Sequence, residues 1–420
     1  MKIKFTLLLI ATYFTTLVGQ DLSHPCSDAS ITERHVVQNP NFLEEKEQLL
    51  QFTHKFVDQL RSNQSNYYNS KLQTTYQIPI VLHIFHWGDD GKMKLPQVLS
   101  GLQILNDDFN GRNSDYNEVD AGFLDVRGKL EIEFCLASID PDGNPTDGIL
   151  YHEDELALTN EGDLFRYAWD NFKYLNIYIP KYAHGGPSDF TAYAYYPSVS
   201  GSQNNRGGIF YSSIRWGYGE HSELEEGAEW ASIITHEAGH WLNVRHTFEN
   251  GCIQPGDFID DTPFTTGTGV ELTGCYNNDL SCGASTNGSN YMDYNADCKR
   301  MFTQGQVDWM IAALNSDARF PLWQEDNLMA TGCMNPLSNS QIEENRQINI
   351  FPNPASQKLQ IVCKDFISTF EIYSSNGIQV YKHSPDSKII EINVINFATG
   401  IYFYKAFGAS QMLSGKFMID

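Results

Sequence analysis

The chain is poor in positive charge. Lys and Arg number 28 against 52 Asp and Glu, which leaves a formal net charge of −24. Such a surface repels polyanions, so nucleic acid and anionic membrane are excluded as principal partners. The acidity suits solubility outside a cell, calcium binding or attraction of basic substrates. Long apolar runs are equally scarce. After the first 19 residues no stretch is long enough to cross a bilayer, and no stable membrane insertion is expected. No internal repeat is evident. Nor is the composition that of a disordered chain, with 41% hydrophobic and 13% aromatic residues. A length of 420 residues allows two or three domains with real cores.

The chain opens MKIKFTLLLIATYFTTLVGQ. Two lysines precede an apolar run that ends near the small residue Gly19. This is the charge order and length of a secretory signal peptide, expected over residues 1–19. The run is short for a membrane anchor. An exported chain can form disulfides, and four of the eight cysteines cluster: Cys252, Cys275, Cys282 and Cys298. Cys26, Cys135, Cys333 and Cys363 are scattered, and spacing leaves their state open.

Three textures follow. Residues 20–75 are polar, with helical periodicity in NFLEEKEQLLQFTHKFVDQLRS and then an exposed SNQSNYYNS linker; they read as a propeptide. Residues 76–335 alternate strand signals (YQIPIVLHIFHW, KLEIEFCLASI, YLNIYIP) with helical ones, the longest over about 226–243. That pattern predicts an α/β domain with a mixed twisted sheet, followed by a loop-rich stretch. Residues 346–420 hold short strands broken by Pro, Asn-Gly and Gly turns, the pattern of a small all-β sandwich.

The chemistry concentrates in THEAGHWLNVRH, residues 235–246. His236 and His240 are one turn apart on a helix, so both imidazoles reach one ion, with Glu237 beside them to act on a metal-bound water. A catalytic zinc needs three protein ligands and one open position. His246 is the third candidate, but an unbroken helix would carry it past the metal. The helix must stop first. Asn243 is suited to that, because asparagine enters the left-handed conformation at modest cost. A bare HExxH occurs by chance on ordinary helices; a third histidine behind a helix terminator points to a metal site.

HEAGHWLNVRHTF together with NYMDYNADC and MFTQGQ resembles the metzincin clan of zinc endopeptidases, and within it the pappalysin/cytophagalysin family. IPIVLHIFH, LQILNDDFN and IEFCLASIDPDGNPTDGI extend the similarity over residues 76–335. The departure is Asn243, where the family usually has glycine. The resemblance implies that Met292 is the methionine of a turn beneath the zinc ligands and that Tyr294 donates to the transition-state oxyanion. It also implies disulfides Cys252–Cys282 and Cys275–Cys298, although sequence alone allows three connectivities. It implies an acidic wall, Asp297, to the pocket just after the cleaved bond, and so a preference for Arg or Lys there.

Calcium is expected near GDFIDDTP, where Asp257, Asp260, Asp261 and Thr262 offer oxygens without EF-hand spacing. The resemblance strengthens that expectation. In the propeptide, a Cys26 thiolate could fill the open zinc position and keep the enzyme latent. Equally, Cys26 pairs with another cysteine or lies in a disordered end. A preference for basic residues makes the bonds before Arg61 and Lys71 candidate self-processing sites.

The motifs INIFPNPASQKLQI, FEIYSSNGIQVYK and GIYFYKAF resemble the C-terminal sorting domain of type IX secretion cargo. The resemblance implies an outer-membrane type IX partner, export and later removal of the domain. The expected whole is a secreted zinc endopeptidase acting on proteins or peptides and made as a latent zymogen. The rival is a secreted binding or adhesion protein with a structural or inactive zinc site, which would not need Glu237.

Overall fold

The structure is a computed structural model. It describes residues 41–62, 75–159, 163–183, 192–224, 229–267, 280–294, 298–333, 348–351, 354–363, 367–374, 378–385, 388–408 and 412–419. Cys26, Lys71, Cys275 and Asp297 lie outside them.

The central sheet begins with β1 (Tyr76–His86), a largely apolar run buried over its whole length. Such a run fits a strand covered on both faces. Its first half pairs in parallel with β2 (Ile132–Leu136) and its second half with β3 (Ile149–Glu153). On its other side lie β4 (Leu175–Ile179), then β6 (Ile209–Tyr211), both parallel, and finally β5 (Ala192–Ala194), antiparallel to β6. Helix α2 (Leu95–Asn110) starts with Pro96 in its first turn and stops at Gly111, whose φ of 63° is left-handed. It packs against the sheet and against α3 (Ile233–Trp241), the helix of the HExxH motif. Helix α4 (Gln304–Leu314) carries a complete capping box between Thr303 and Gln306. This is the expected α/β domain with a mixed sheet. Cys135–Cys333 ties β2 to the end of α5 (Glu325–Thr331), a pairing that spacing had left open.

Helix α1 (Phe42–Ser62), in the presumed propeptide, is docked and not a loose leader. Its buried residues Phe42, Thr53, Val57 and Leu60 form one helical stripe, and Val57 belongs to the main core. Polar pins hold both ends. Glu45 accepts from Ser198 Oγ at 2.5 Å and Ser200 N at 3.2 Å, and Arg61 pairs with Asp308 at 3.1 Å and Asp260 at 3.3 Å. This corrects one expectation. The bond before Arg61 is helical, Leu60 is 0% exposed and the arginine is engaged, so a protease cannot take it in extended form without undocking the helix.

The C-terminal region forms two antiparallel sheets. One holds β7 (Ile348–Phe351), β8 (Lys358–Cys363) and β11 (Ile389–Asn393); the other runs β10 (Gln379–His383), β9 (Ile367–Ser374), β12 (Gly400–Gly408), β13 (Met412–Ile419). Alternation in β8 and β11 turns Leu359, Ile361, Ile390 and Ile392 inward, onto Phe370 and Ile372 of β9.

Candidate active site

Helix α3 is fully buried, so its histidines are delivered into the interior and not to a surface. Its end is set by Asn243. The N–H of Asn243 donates to His240 O at 2.9 Å and that of Val244 to Gly239 O at 2.9 Å, the paired bonds of a Schellman motif. Asn243 has a φ of 69°, left-handed as the helix-stop reading requires. Its amide also donates to Thr53 of α1 at 3.3 Å. The chain then doubles back. His240 Nε2 stands 3.1 Å from His236 Nε2 and 3.1 Å from His246 Nε2. Among the described residues this trio alone groups three metal-ligating side chains, within 4.8 Å of one another.

The outer partners decide which nitrogen faces the ion. His236 Nδ1 donates to Tyr291 O at 2.7 Å, and His240 Nδ1 to Val244 O at 2.8 Å. A carbonyl only accepts, so the proton sits on Nδ1 and the Nε2 lone pairs turn to the common centre. Burial, then the Lys299 ammonium and the neighbouring imidazoles, hold His236 well below the ordinary imidazole range and thus neutral. Imidazole nitrogens about 3 Å apart fit a tetrahedral ion with ~2.0–2.1 Å bonds to nitrogen. The donor set fits zinc.

Met292 is 0% exposed and lies directly under α3. A Cβ at Gly239 would approach Met292 Sδ to 2.5 Å, so the glycine of HEAGH is what admits the methionine. Tyr294 packs beside the trio, its ring edge-on to that of His246 at 4.9 Å and tilted against that of Phe248 at 4.6 Å. The methionine turn is itself braced. Asn290 and Gln306 exchange amide bonds of 2.9 and 3.0 Å, and Asn290 Oδ1 also accepts from Met292 N. Thr247, next to His246, bonds the Asp293 carboxylate at 3.0 Å.

Four further residues bear on the site without any signal in the motif. Asp108 of α2 is buried and accepts from Thr235 Oγ1 at 2.6 Å, fixing the residue before His236; burial pushes its carboxyl up to about 7. Tyr196 brings its hydroxyl 3.1 Å from His240 Nδ1. Arg319, 3% exposed, donates to Trp241 O and Tyr195 O, joining the end of α3 to the segment just after β5 that carries Tyr196. Lys299 donates to two carbonyls of the methionine turn. The segment LNDDFN was legible as part of a helix; nothing local singled out its second aspartate.

Cys252 and Cys282 are bonded, and Cys298 is also in a disulfide. Cys363 is a buried free thiol. The residues expected to hold calcium do not converge. Asp257 turns inward to Thr262 Oγ1 and Ile259 N, Asp260 points outward to Arg61, and Asp261 accepts from Gly305 N at the start of α4. Each carboxylate has its own donor, in the turns of the loop, at Arg61 or at the start of α4, and Asp261 Oδ1 is buried with no hydrogen-bond partner among the described residues. No calcium site is assigned there.

Residues 158–315 match the family model described as pregnancy-associated plasma protein-A, a peptidase family, and residues 349–420 match the secretion system C-terminal sorting domain. An extracellular metalloprotease of Sordaria macrospora is 33% identical over 153 residues, 34% of this chain and 49% of that protein; the chain spans about half the length of the curated relatives it matches. Mature mirolysin of Tannerella forsythia, solved in complex with a cleaved peptide, is 28% identical with a TM-score of 0.52, over 62% of this chain and 99% of that one. A promirolysin mutant from the same organism is 25% identical with a TM-score of 0.56, over 71% of this chain and 96% of that one.

Proposed function

A chain that carries a pappalysin-family peptidase domain and a C-terminal secretion sorting domain is, we propose, an exported zinc endopeptidase. One observation carries the reading: His236, His240 and His246 bring their Nε2 atoms to one centre, and Glu237 sits between the first two on the same buried helix. Bound zinc supplies Lewis acidity, which polarises the scissile carbonyl and acidifies an attacking water. Glu237 accepts the proton of that water and returns it to the leaving nitrogen. Tyr294, packed against His246, donates to the oxyanion that develops on the carbonyl. Among the described residues β5 ends the central sheet and packs against α3, which supports an extended substrate lying along it as an added strand.

A preference for Arg or Lys after the cleaved bond is proposed on Asp297 and on the acidic composition. Cleavage-site profiling of Asp297→Ala tests it, and an unchanged profile would refute it. Synthesis as a zymogen is supported by the pro-form among the similar structures and by the docking of α1 on the peptidase unit. Cys26 is proposed as the latency ligand, and a Cys26→Ala precursor should be active before processing. The deciding experiment for the activity compares wild type with Glu237→Ala on a peptide library, with and without a zinc chelator. Equal cleavage by both forms would leave the rival reading, a binding protein with a non-catalytic metal.

A further inference from the structure

A lysine in a protein interior is rare unless its ammonium is satisfied. Lys299 is 3% exposed. Its Nζ donates to the carbonyl of Tyr291 at 2.8 Å and to that of Asp293. The Tyr291 oxygen is the same one that takes the Nδ1 proton of His236, at 2.7 Å. Nζ itself stands 3.5 Å from that Nδ1. One carbonyl thus accepts from a metal-ligand candidate and from a cation at once.

The consequence follows from how outer partners act on a ligand. An oxygen that accepts strongly from an imidazole N–H leaves the ring more electron-rich and its other nitrogen a better donor to the metal. An ammonium on that same oxygen draws the electron density away. Its charge also opposes a bound cation, in an interior where water screens poorly.

We propose that Lys299 tunes the metal site: by sharing the Tyr291 carbonyl with His236, it lowers the affinity for zinc and raises the Lewis acidity of zinc when bound. It acts through His236 and is a positioning residue, not a catalytic one. A purely structural role has the opposite sign. If Lys299 only pinned the methionine turn, its removal would loosen the support of His236 and weaken zinc binding.

The test is zinc affinity of the full chain, measured by competition with a chelator. Lys299→Gln keeps an N–H for the Tyr291 oxygen and removes the charge; Lys299→Met removes both; Lys299→Arg keeps the charge. The neutral variants should bind zinc on the order of tenfold more tightly, and the Arg variant should stay near wild type. Cobalt absorption spectra should shift in the Gln and Met forms and not in the Arg form. Unchanged or weaker zinc binding in the neutral variants overturns the inference, and so does unfolding of both while the Arg form folds. The inference rests on the zinc reading, and the two fail separately. A wild-type chain that takes up no zinc sinks that reading, whereas zinc uptake indifferent to the charge at 299 sinks only this one.

Discussion

The α/β unit and the C-terminal sandwich fill their interiors by opposite means. The sandwich core is apolar throughout, built on residues such as Leu359, Ile361, Ile372 and Ile390, and Glu371 is the one buried charged residue among its described residues. The α/β unit buries Asp108, Glu237, Asp257, Asp293, Lys299, Asp308, Arg319 and five histidines. Buried polar groups are costly unless each finds a partner, so a region dense in them is organised for something other than stability. The sandwich can tolerate any well-packed set of apolar residues. The site cannot, because His236 and His240 are each oriented by a specific backbone carbonyl.

That contrast can be broken experimentally. The largest effect belongs to Glu237→Ala, which should cut peptide hydrolysis by about 10³-fold or more while zinc content and melting temperature hold. A large loss of stability instead would mean that the glutamate is part of the scaffold. In the sandwich the effect should be purely energetic. Ile372→Ala should cost about 2–5 kcal/mol in the unfolding of that region, read by denaturant titration, and leave peptide cleavage by the folded unit untouched. Loss of cleavage would couple the two regions.

A smaller and sharper test lies at the helix stop. Asn243→Ala forces an ordinary side chain into a left-handed backbone and should cost about 1 kcal/mol. Asn243→Gly should be near neutral, though it also removes the bond to Thr53. If Ala and Gly behave alike, backbone conformation is not what the position selects.

The smallest effect is in the pH dependence. Burial holds His83 down to about 3 and His152 down to about 4, so both stay neutral in the fold. The unfolded chain, with imidazoles near 6.5, binds more protons over that interval. Their contribution is therefore intact above about 6.5 and is lost as pH falls toward 3. His83→Gln should flatten melting temperature against pH in that window, and an unchanged slope would assign the acid sensitivity elsewhere.

How much of this was readable in advance depended on distance along the chain. His236, Glu237 and His240 were legible because helix geometry is local, and Asn243 with His246 because a helix stop is local too. The sandwich was legible because strand alternation is local. Arg61 was misread. As a basic residue at the end of a propeptide it looked like a cleavage site, and only the fold brings Asp308, 247 residues away, to engage it. The loop expected to hold calcium was half legible for the same reason. Its aspartates have the right chemistry, and the fold turns them three ways.

Sequence by itself picked out the three histidines as a candidate metal triad, the glutamate beside them, the all-β tail and the α/β middle, since each is set by spacings of a few residues. Tertiary structure alone decided what holds the triad in register. Asp108 reaches Thr235 across 127 residues, Tyr196 reaches His240 across 44, and Arg319 reaches Trp241 across 78. A hydrogen bond between such distant positions leaves no periodicity to read, because it depends on where several elements come to rest and not on how any one of them repeats.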